Sequence, residues 1–251
     1  MDAYGKFASV YDRLMDDVPY KDIARIIDSE IKQSKQSNNM VLDLACGTGT
    51  LTALLSKKGY DMIGADNSAE MLFQAQMKNP GVLFLNQSME AFELYGTVGA
   101  IVCCLDSVNY LTEDGALDQL FHLCNNYLEP DGLLMFDVNS EFKFAHTLAD
   151  NIYTFDNEEI YYVWENDYSD QERLCDFYLT FFLRHGDVYE RFDEVHTERC
   201  YSDAEICDAL CRNGFSVLKK LDGFSDRPAK KESERIFYIC KNIDPIQLKQ
   251  R

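Results

Sequence analysis

Two kinds of apolar spacing alternate along the first 140 residues. In one, apolar side chains recur at three- and four-residue steps; in the other they run without a break. Tyr4, Phe7, Tyr11, Leu14 and Met15 mark one helical face, Pro19 interrupts it, and Ile23, Ile26, Ile27 and Ile31 mark the face of a second helix. After a polar stretch at 34–39, residues 40–43 read as the end of a buried strand. Leu51, Ala53, Leu54 and Leu55 then restart a helix. The alternation continues with a strand at 60–66, a helix after the plausible N-cap Ser68, and a strand at 82–85 introduced by Pro80-Gly81. A fourth strand follows at 100–106, and a helix at 112–128 turns Leu117, Leu120, Phe121 and Leu128 inward. Pro130-Asp131-Gly132 reads as a tight turn before a fifth strand at 133–138. Strands that alternate with helices predict a parallel sheet covered on both faces.

The period changes after Asn139. A short helix fits 142–149, and from 152 to 201 the pattern becomes two-residue alternation, with runs at 160–164, 176–183 and 188–201 around the turn His185-Gly186-Asp187. Consecutive strands with short turns predict an antiparallel meander. A helix opening at Ser202 and ending at Asn213-Gly214 restores the first pattern, and strands at 215–221 and 236–240 flank a polar loop at 224–233. The predicted fold is α/β: a doubly wound, mostly parallel seven-stranded sheet with an inserted antiparallel β subdomain. Residues 1–139 and 202–251 form the α/β part and 140–201 the insert. No internal repeat or low-complexity tract interrupts this plan.

Chemistry enters at the turn after the first strand. Asp43 ends an apolar run, and Ala45-Cys46-Gly47-Thr48-Gly49 packs two glycines among small residues before the helix. Glycine permits positive φ and close approach of a ligand to the backbone, and the helix start offers free N–H groups to an anionic group. A dinucleotide fingerprint requires a third glycine or alanine where Thr52 stands, and a phosphate loop requires a Gly-Lys-Ser/Thr that is absent. Asp66 ends the second strand roughly 20 residues past the turn, the distance at which a carboxylate accepts ribose hydroxyls. Its plainer alternative is an acid at a helix N-terminus.

The turn, D-x-x-x-G-x-G over Asp43, Gly47 and Gly49, resembles motif I of the class I S-adenosylmethionine-dependent methyltransferases. Asp66, Ser68, Met71 and Leu72 resemble the following segment of that family, and Leu128-Glu129-Pro130-Asp131-Gly132-Leu133 its strand-five segment. The resemblance spans nearly the whole chain, and the meander, with Trp164-Glu165-Asn166 and Arg191–His196, resembles that of a bacterial YqeM-like group. The resemblance implies a Rossmann-like fold whose terminal strand hairpin separates it from dehydrogenases, and S-adenosylmethionine as cofactor. It implies that Asp43, Ala45, Gly47 and Gly49 hold the methionine end and Asp66 the ribose, while Asn67, Met71, Ser88, the Met89 backbone and Leu105 border the rest. Ser88 stands where the family commonly has an Asp, so it can accept the adenine amino group's hydrogen bond only without charge. The opening helices, 1–36, resemble the family's lid, which places Tyr11 and Tyr20 near cofactor and substrate; an aromatic stripe at helical spacing is otherwise core.

Charge and composition narrow the acceptor. The chain of 251 residues carries a net charge of -19 and is 46% hydrophobic. Such a field disfavours nucleic acid and anionic membrane as partners. No apolar run reaches the ~20 residues of a membrane span, and no signal peptide opens the chain. Nine cysteines without a C-x-x-C argue for reduced thiols and against zinc or a disulfide framework, and so for a cytoplasmic protein. A small-molecule acceptor fits best, and the oligomeric state is open. Asp106, Glu194 and His196 are the candidates for a base. Glu194, His196 and Glu198 share one face of a strand, as a base pair, a divalent-metal site or, more plainly, a solvated outer face. Acceptor choice is expected to lie in the meander at 152–201 and in the N-terminal helices rather than in the sheet core, with Tyr161, Tyr162, Trp164, Phe177 and Phe181 of the meander able to wall off water. For Phe177 and Phe181 the simpler expectation is the meander's own apolar face. An NAD-dependent oxidoreductase and a non-catalytic S-adenosylmethionine-binding protein are the alternatives.

Overall fold

The computed structural model describes residue 8 and residues 11–34 and 36–246. Tyr4 and Phe7 lie outside the described residues. Residues 11–14 are helical, and α1 follows at Tyr20–Ser34 with Ile23, Ile26, Ile27 and Ile31 buried. The α/β part continues through β1 (Met40–Leu44), α2 (Thr50–Lys57), β2 (Asp61–Asp66), α3 (Ala69–Lys78), β3 (Leu83–Asn86), β4 (Val98–Cys103), α4 (Ala116–Tyr127) and β5 (Leu128–Asn139). A π-helix at Lys143–Leu148 leads to the meander, β6 (Ile152–Asp156), β7 (Ile160–Ser169), β8 (Leu174–His185) and β9 (Val188–Arg199). The chain closes with α5 (Asp203–Arg212), β10 (Phe215–Asp222) and β11 (Arg235–Asn242).

The main sheet has seven strands in the order β10-β11-β5-β4-β1-β2-β3. Only β11 runs against its neighbours β5 and β10. The unbroken apolar runs follow from burial on both faces. In β1, Leu42 enters one core and Val41 the other; Phe136 and Met135 of β5, and Tyr238 and Phe237 of β11, divide in the same way. Helices α4 and α5 cover the first face and α1 and α2 the second. Among the described residues no helix is long and apolar enough to cross a membrane. All nine cysteines are free thiols, six of them buried.

The expected turn at Pro130-Asp131-Gly132 is instead an irregularity inside β5. The register against β4 passes from Val98↔Leu128 directly to Ala100↔Leu133. Asp131 takes φ +63° there, so the excess residues loop out without ending the strand. Consequently Leu128 belongs to β5 rather than to the preceding helix.

The meander forms a separate sheet, β6-β7-β8-β9. Its inner face buries Ile160, Phe181, Leu183 and Phe192, with Leu14 of the N-terminal segment packed against them. The same face buries Phe177 and Cys175 against Phe144 and Leu148 of the π-helix. Phe177 and Phe181 thus belong to the meander's own apolar face, as alternation requires. Glu194 and Glu198 lie on that face too, at 4% and 2% exposure. The solvated outer face expected for them is therefore wrong: β9 turns its odd partners, such as Val195 at 59% exposure, to water instead. Among the described residues no group of three His, Cys, Asp or Glu is placed to hold a metal ion.

Candidate functional site

The loops at the carboxyl ends of β1, β2 and β4 converge on one side of the sheet. After β1 the backbone takes left-handed conformations at Ala45 (φ +57°), Gly47 (+54°) and Gly49 (+72°). The two glycines answer different needs. A Cβ on Gly47 would meet nothing within 4 Å, so it would stand in open space. A Cβ on Gly49 would lie 3.0 Å from the Ala75 Cβ and 3.1 Å from Asn79 Nδ2. Gly49 therefore lets α3 pack against the turn and does not line the cleft described below.

Asp66 ties this turn to the end of β2. Gly47 N–H donates to its Oδ2 and Ser68 N–H to its Oδ1, both at 2.8 Å. Burial raises its pKa against these amides. The Asn67 amide also bonds this carboxylate, which keeps acceptor capacity beyond its amide partners. The N-terminal segment docks on the same turn, where Thr48 Oγ1 donates to Asp12 Oδ1 at 2.5 Å.

Two connected cavities occupy this side. A narrow recess of about 50 Å³ is lined by residues including Tyr20, Asp43, Cys46, Thr48 and Cys104. A cleft of about 540 Å³ is lined by Asp66, Asn67, Met71, Ser88, Met89, Glu90, Tyr110, Leu111 and His196 among others. Tyr11, Ala45, Gly47, Leu105 and Ser107 line both, so the recess opens into the cleft. Every residue expected at a cofactor except Gly49 lies on one of these walls.

Asp43 sits at the closed end, 2% exposed, and accepts a hydrogen bond from Thr52 Oγ1. Burial is the main cause that pushes its pKa up to about 7, and the Asp66 charge adds to it. Tyr11 donates its hydroxyl hydrogen to the Tyr20 oxygen, and burial raises both phenols. Tyr11 and Tyr20 line one wall of the recess, and Tyr20 also packs against the core that holds α1 and α2.

The three candidate bases separate. His196, on β9, lines the cleft and stands edge-on to Tyr110, with ring centroids 5.8 Å apart and planes at 75°. Burial lowers its pKa, which keeps the imidazole neutral near pH 7. Glu194 lies two residues back on the same face, outside the cleft lining, with its buried Oε1 lacking a hydrogen-bond partner. Asp106 is committed elsewhere. Its Oδ1 is 3.0 Å from Arg235 Nη1, and Asn139 Nδ2 donates to its Oδ2 at 2.8 Å. Burial would raise the Asp106 pKa, but Arg235 and Lys143 hold it below the usual carboxylate range, so it is a poor base. Of the expected aromatic wall, none of Tyr161, Tyr162, Trp164, Phe177 and Phe181 reaches the cleft; Tyr11 and Tyr110 form that wall instead.

Known proteins share this arrangement. A family model described as a methyltransferase domain matches residues 41–132. The YqeM methyltransferase-family protein of Bacillus subtilis (strain 168) is 35% identical over 247 residues, covering 97% of this chain and 98% of its own. The chain belongs to the S-adenosylmethionine-dependent methyltransferases. A crystal structure of such a methyltransferase from Clostridium acetobutylicum ATCC 824 superimposes with a TM-score of 0.88 at 35% identity, covering 96% of this chain and 99% of that one. A dTDP-3-amino-3,4,6-trideoxy-alpha-D-glucopyranose N,N-dimethyltransferase of Streptomyces venezuelae is 30% identical over 129 residues, 51% of this chain and 52% of its own.

Two residues of this methyltransferase that shape the site escaped the sequence reading. Asp137 of β5 is fully buried and accepts the N–H groups of Leu105 (2.7 Å) and Asp106 (2.9 Å) while ion-paired to Arg235 of β11. Both Leu105 and Asp106 are left-handed, at φ +65° and +55°. Such a pair of non-glycine residues is strained, and a buried acceptor for both amides holds it in place. The available signal was a charge set against an apolar run in each of two strands, Asp137 after residues 133–136 and Arg235 before residues 236–240. A buried charge of that kind requires a partner.

Proposed function

We propose that the recess and cleft hold S-adenosylmethionine end to end, and that its methyl group passes to a small-molecule acceptor at the Tyr110 and His196 wall. The observation that carries this is the continuity of the two cavities through Gly47 and Leu105. The recess receives the methionine part, with Asp43 facing its ammonium and the first N–H groups of α2 its carboxylate. Open space above Gly47 accommodates the chain of the ligand. Asp66 accepts the ribose hydroxyls on its remaining lone pairs, and Met71, Ser88 and the Met89 backbone border the base.

When bound, the cofactor supplies a methyl group already activated on a sulfonium. The protein's part is to orient an acceptor in line with that bond and to exclude water. Tyr11 covers the junction of recess and cleft, where the methyl group would lie. His196 is the one candidate base on the cleft wall, and it takes the acceptor's proton. The acidic, narrow recess offers no room for the pyrophosphate of NAD. Calorimetric titration should show saturable binding of S-adenosylmethionine and S-adenosylhomocysteine and none of NAD. Binding of NAD alone would overturn the reading.

A further inference from the structure

We infer that the acceptor is a small amine, neutral or cationic, that carries no phosphate or carboxylate group; this rests on the cofactor placement proposed above. The argument is one of charge. Among the described residues, no lysine or arginine lines the recess or the cleft, and of the acids there Glu70 and Glu90 remain once Asp43 and Asp66 face the cofactor. Lys78 pairs with Asp12, and Arg235 with Asp106 and Asp137. A phosphate or carboxylate on the acceptor would lie away from the α2 amides that take the cofactor's carboxylate, and would lose its water and gain no cationic partner, which is strongly unfavourable. The dTDP-linked sugar in the name of the Streptomyces venezuelae relative carries such a diphosphate.

What remains of the cleft beyond the cofactor suits a cation. Tyr11, Tyr110 and His196 line it, and the rings of the last two meet edge-on. Aromatic faces attract ammonium groups, more so when water is excluded. Deeper on the same face of β9, the Glu194 carboxyl is 4% exposed and keeps an unpartnered oxygen. An amine also matches the base. A cationic acceptor first gives a proton to the neutral His196 imidazole, which frees the nitrogen lone pair. That lone pair forms the N–CH3 bond as the S–CH3 electron pair returns to sulfur, and the methylated amine carries the positive charge away. An ammonium lies within a few pK units of histidine, whereas an alcohol is about ten units away.

The test uses the full chain saturated with S-adenosylhomocysteine and three probes of one shape: benzylamine, benzyl alcohol and benzyl phosphate. Benzylamine should bind about tenfold or more tighter than benzyl phosphate, with the alcohol between them. The exposed-site variant Glu90→Gln should narrow the ratio severalfold without altering the fold, and His196→Ala should weaken benzylamine binding. Equal or tighter binding of benzyl phosphate, or no saturable binding of benzylamine, overturns the inference. If S-adenosylhomocysteine itself fails to bind, the cofactor placement falls as well; if it binds and the phosphate is preferred, only this inference falls.

Discussion

Asp43 and Asp66 are both acids at strand ends, yet their surroundings give them different behaviour. Asp66 is held by backbone amides and faces the wide cleft. Asp43 has one hydroxyl partner at the closed end of the recess and titrates near neutrality, at about 7. Its native pKa lies above the ordinary value of 3.8, so the folded protein binds the extra proton. In the ligand-free protein this acid's contribution to stability is therefore full below about pH 4 and is lost as pH rises towards 7. A bound ammonium reverses the preference. S-adenosylmethionine affinity should rise with pH up to about 7, with proton uptake by buffer on binding at pH 6, and Asp43→Asn should flatten that dependence. Calorimetry in two buffers of different ionisation enthalpy reads both. At Gly47 the backbone is left-handed and the space above it is open. Gly47→Val should thus fold with modest strain and lose at least about a hundredfold in cofactor affinity, whereas Asp66→Ala should cost about ten- to a hundredfold through lost ribose acceptors. Unchanged affinity in both folded variants would remove these residues from the site. At this scale the sequence was informative, because strand-end acids and turn glycines are local features. Gly49 was not: the need for glycine there comes from Ala75 and Asn79 in another helix.

At the scale of elements, the alternation of apolar runs and helical faces was enough to place nearly every strand and helix. The exceptions are instructive. Pro130-Asp131-Gly132 has turn chemistry, but pairing of β5 with β4 resumes at Ala100↔Leu133, and the ladder on both sides absorbs the excess. The Glu194, His196 and Glu198 face of β9 was assigned to water because charged alternation normally faces out. Here the face meets the α/β part, where Asn139 Nδ2 donates to the Glu198 carboxylate at 2.8 Å. The salt-bridged pair of β5 and β11 gives a test of how elements cooperate. Arg235→Met leaves the buried Asp137 without its cation and takes one partner from the half-buried Asp106, and should destabilise the fold by about 3–5 kcal/mol in chemical denaturation. A loss within error of zero would show that Asp137 is held by the Leu105 and Asp106 amides alone.

At the scale of the molecule, the meander and the α/β part are separate sheets with a shared boundary. The meander's inner face is completed by Leu14, Phe144 and Leu148, which lie outside it in sequence. Residues 150–200 expressed alone should therefore lack a cooperative melt and near-ultraviolet circular dichroism, while the full chain unfolds in one transition. A cooperative transition in the isolated segment would show a self-sufficient subdomain. The division into sheets was legible because the period changes from mixed to two. Which face of the meander turns inward was not, because both faces carry charged residues and aromatic rings.

The anchoring of the Leu105–Asp106 bend has a consequence for isotope exchange. Loops above a ligand cleft usually open readily, so their amide hydrogens trade with solvent deuterium within seconds to minutes. Here both amide hydrogens point at a carboxylate with no exposure to water. The two should label as slowly as the amides of β4 itself, and labelling at the rate of an ordinary surface loop would show the bend to open on its own. A ligand wall with that protection behaves as a fixed bearing surface.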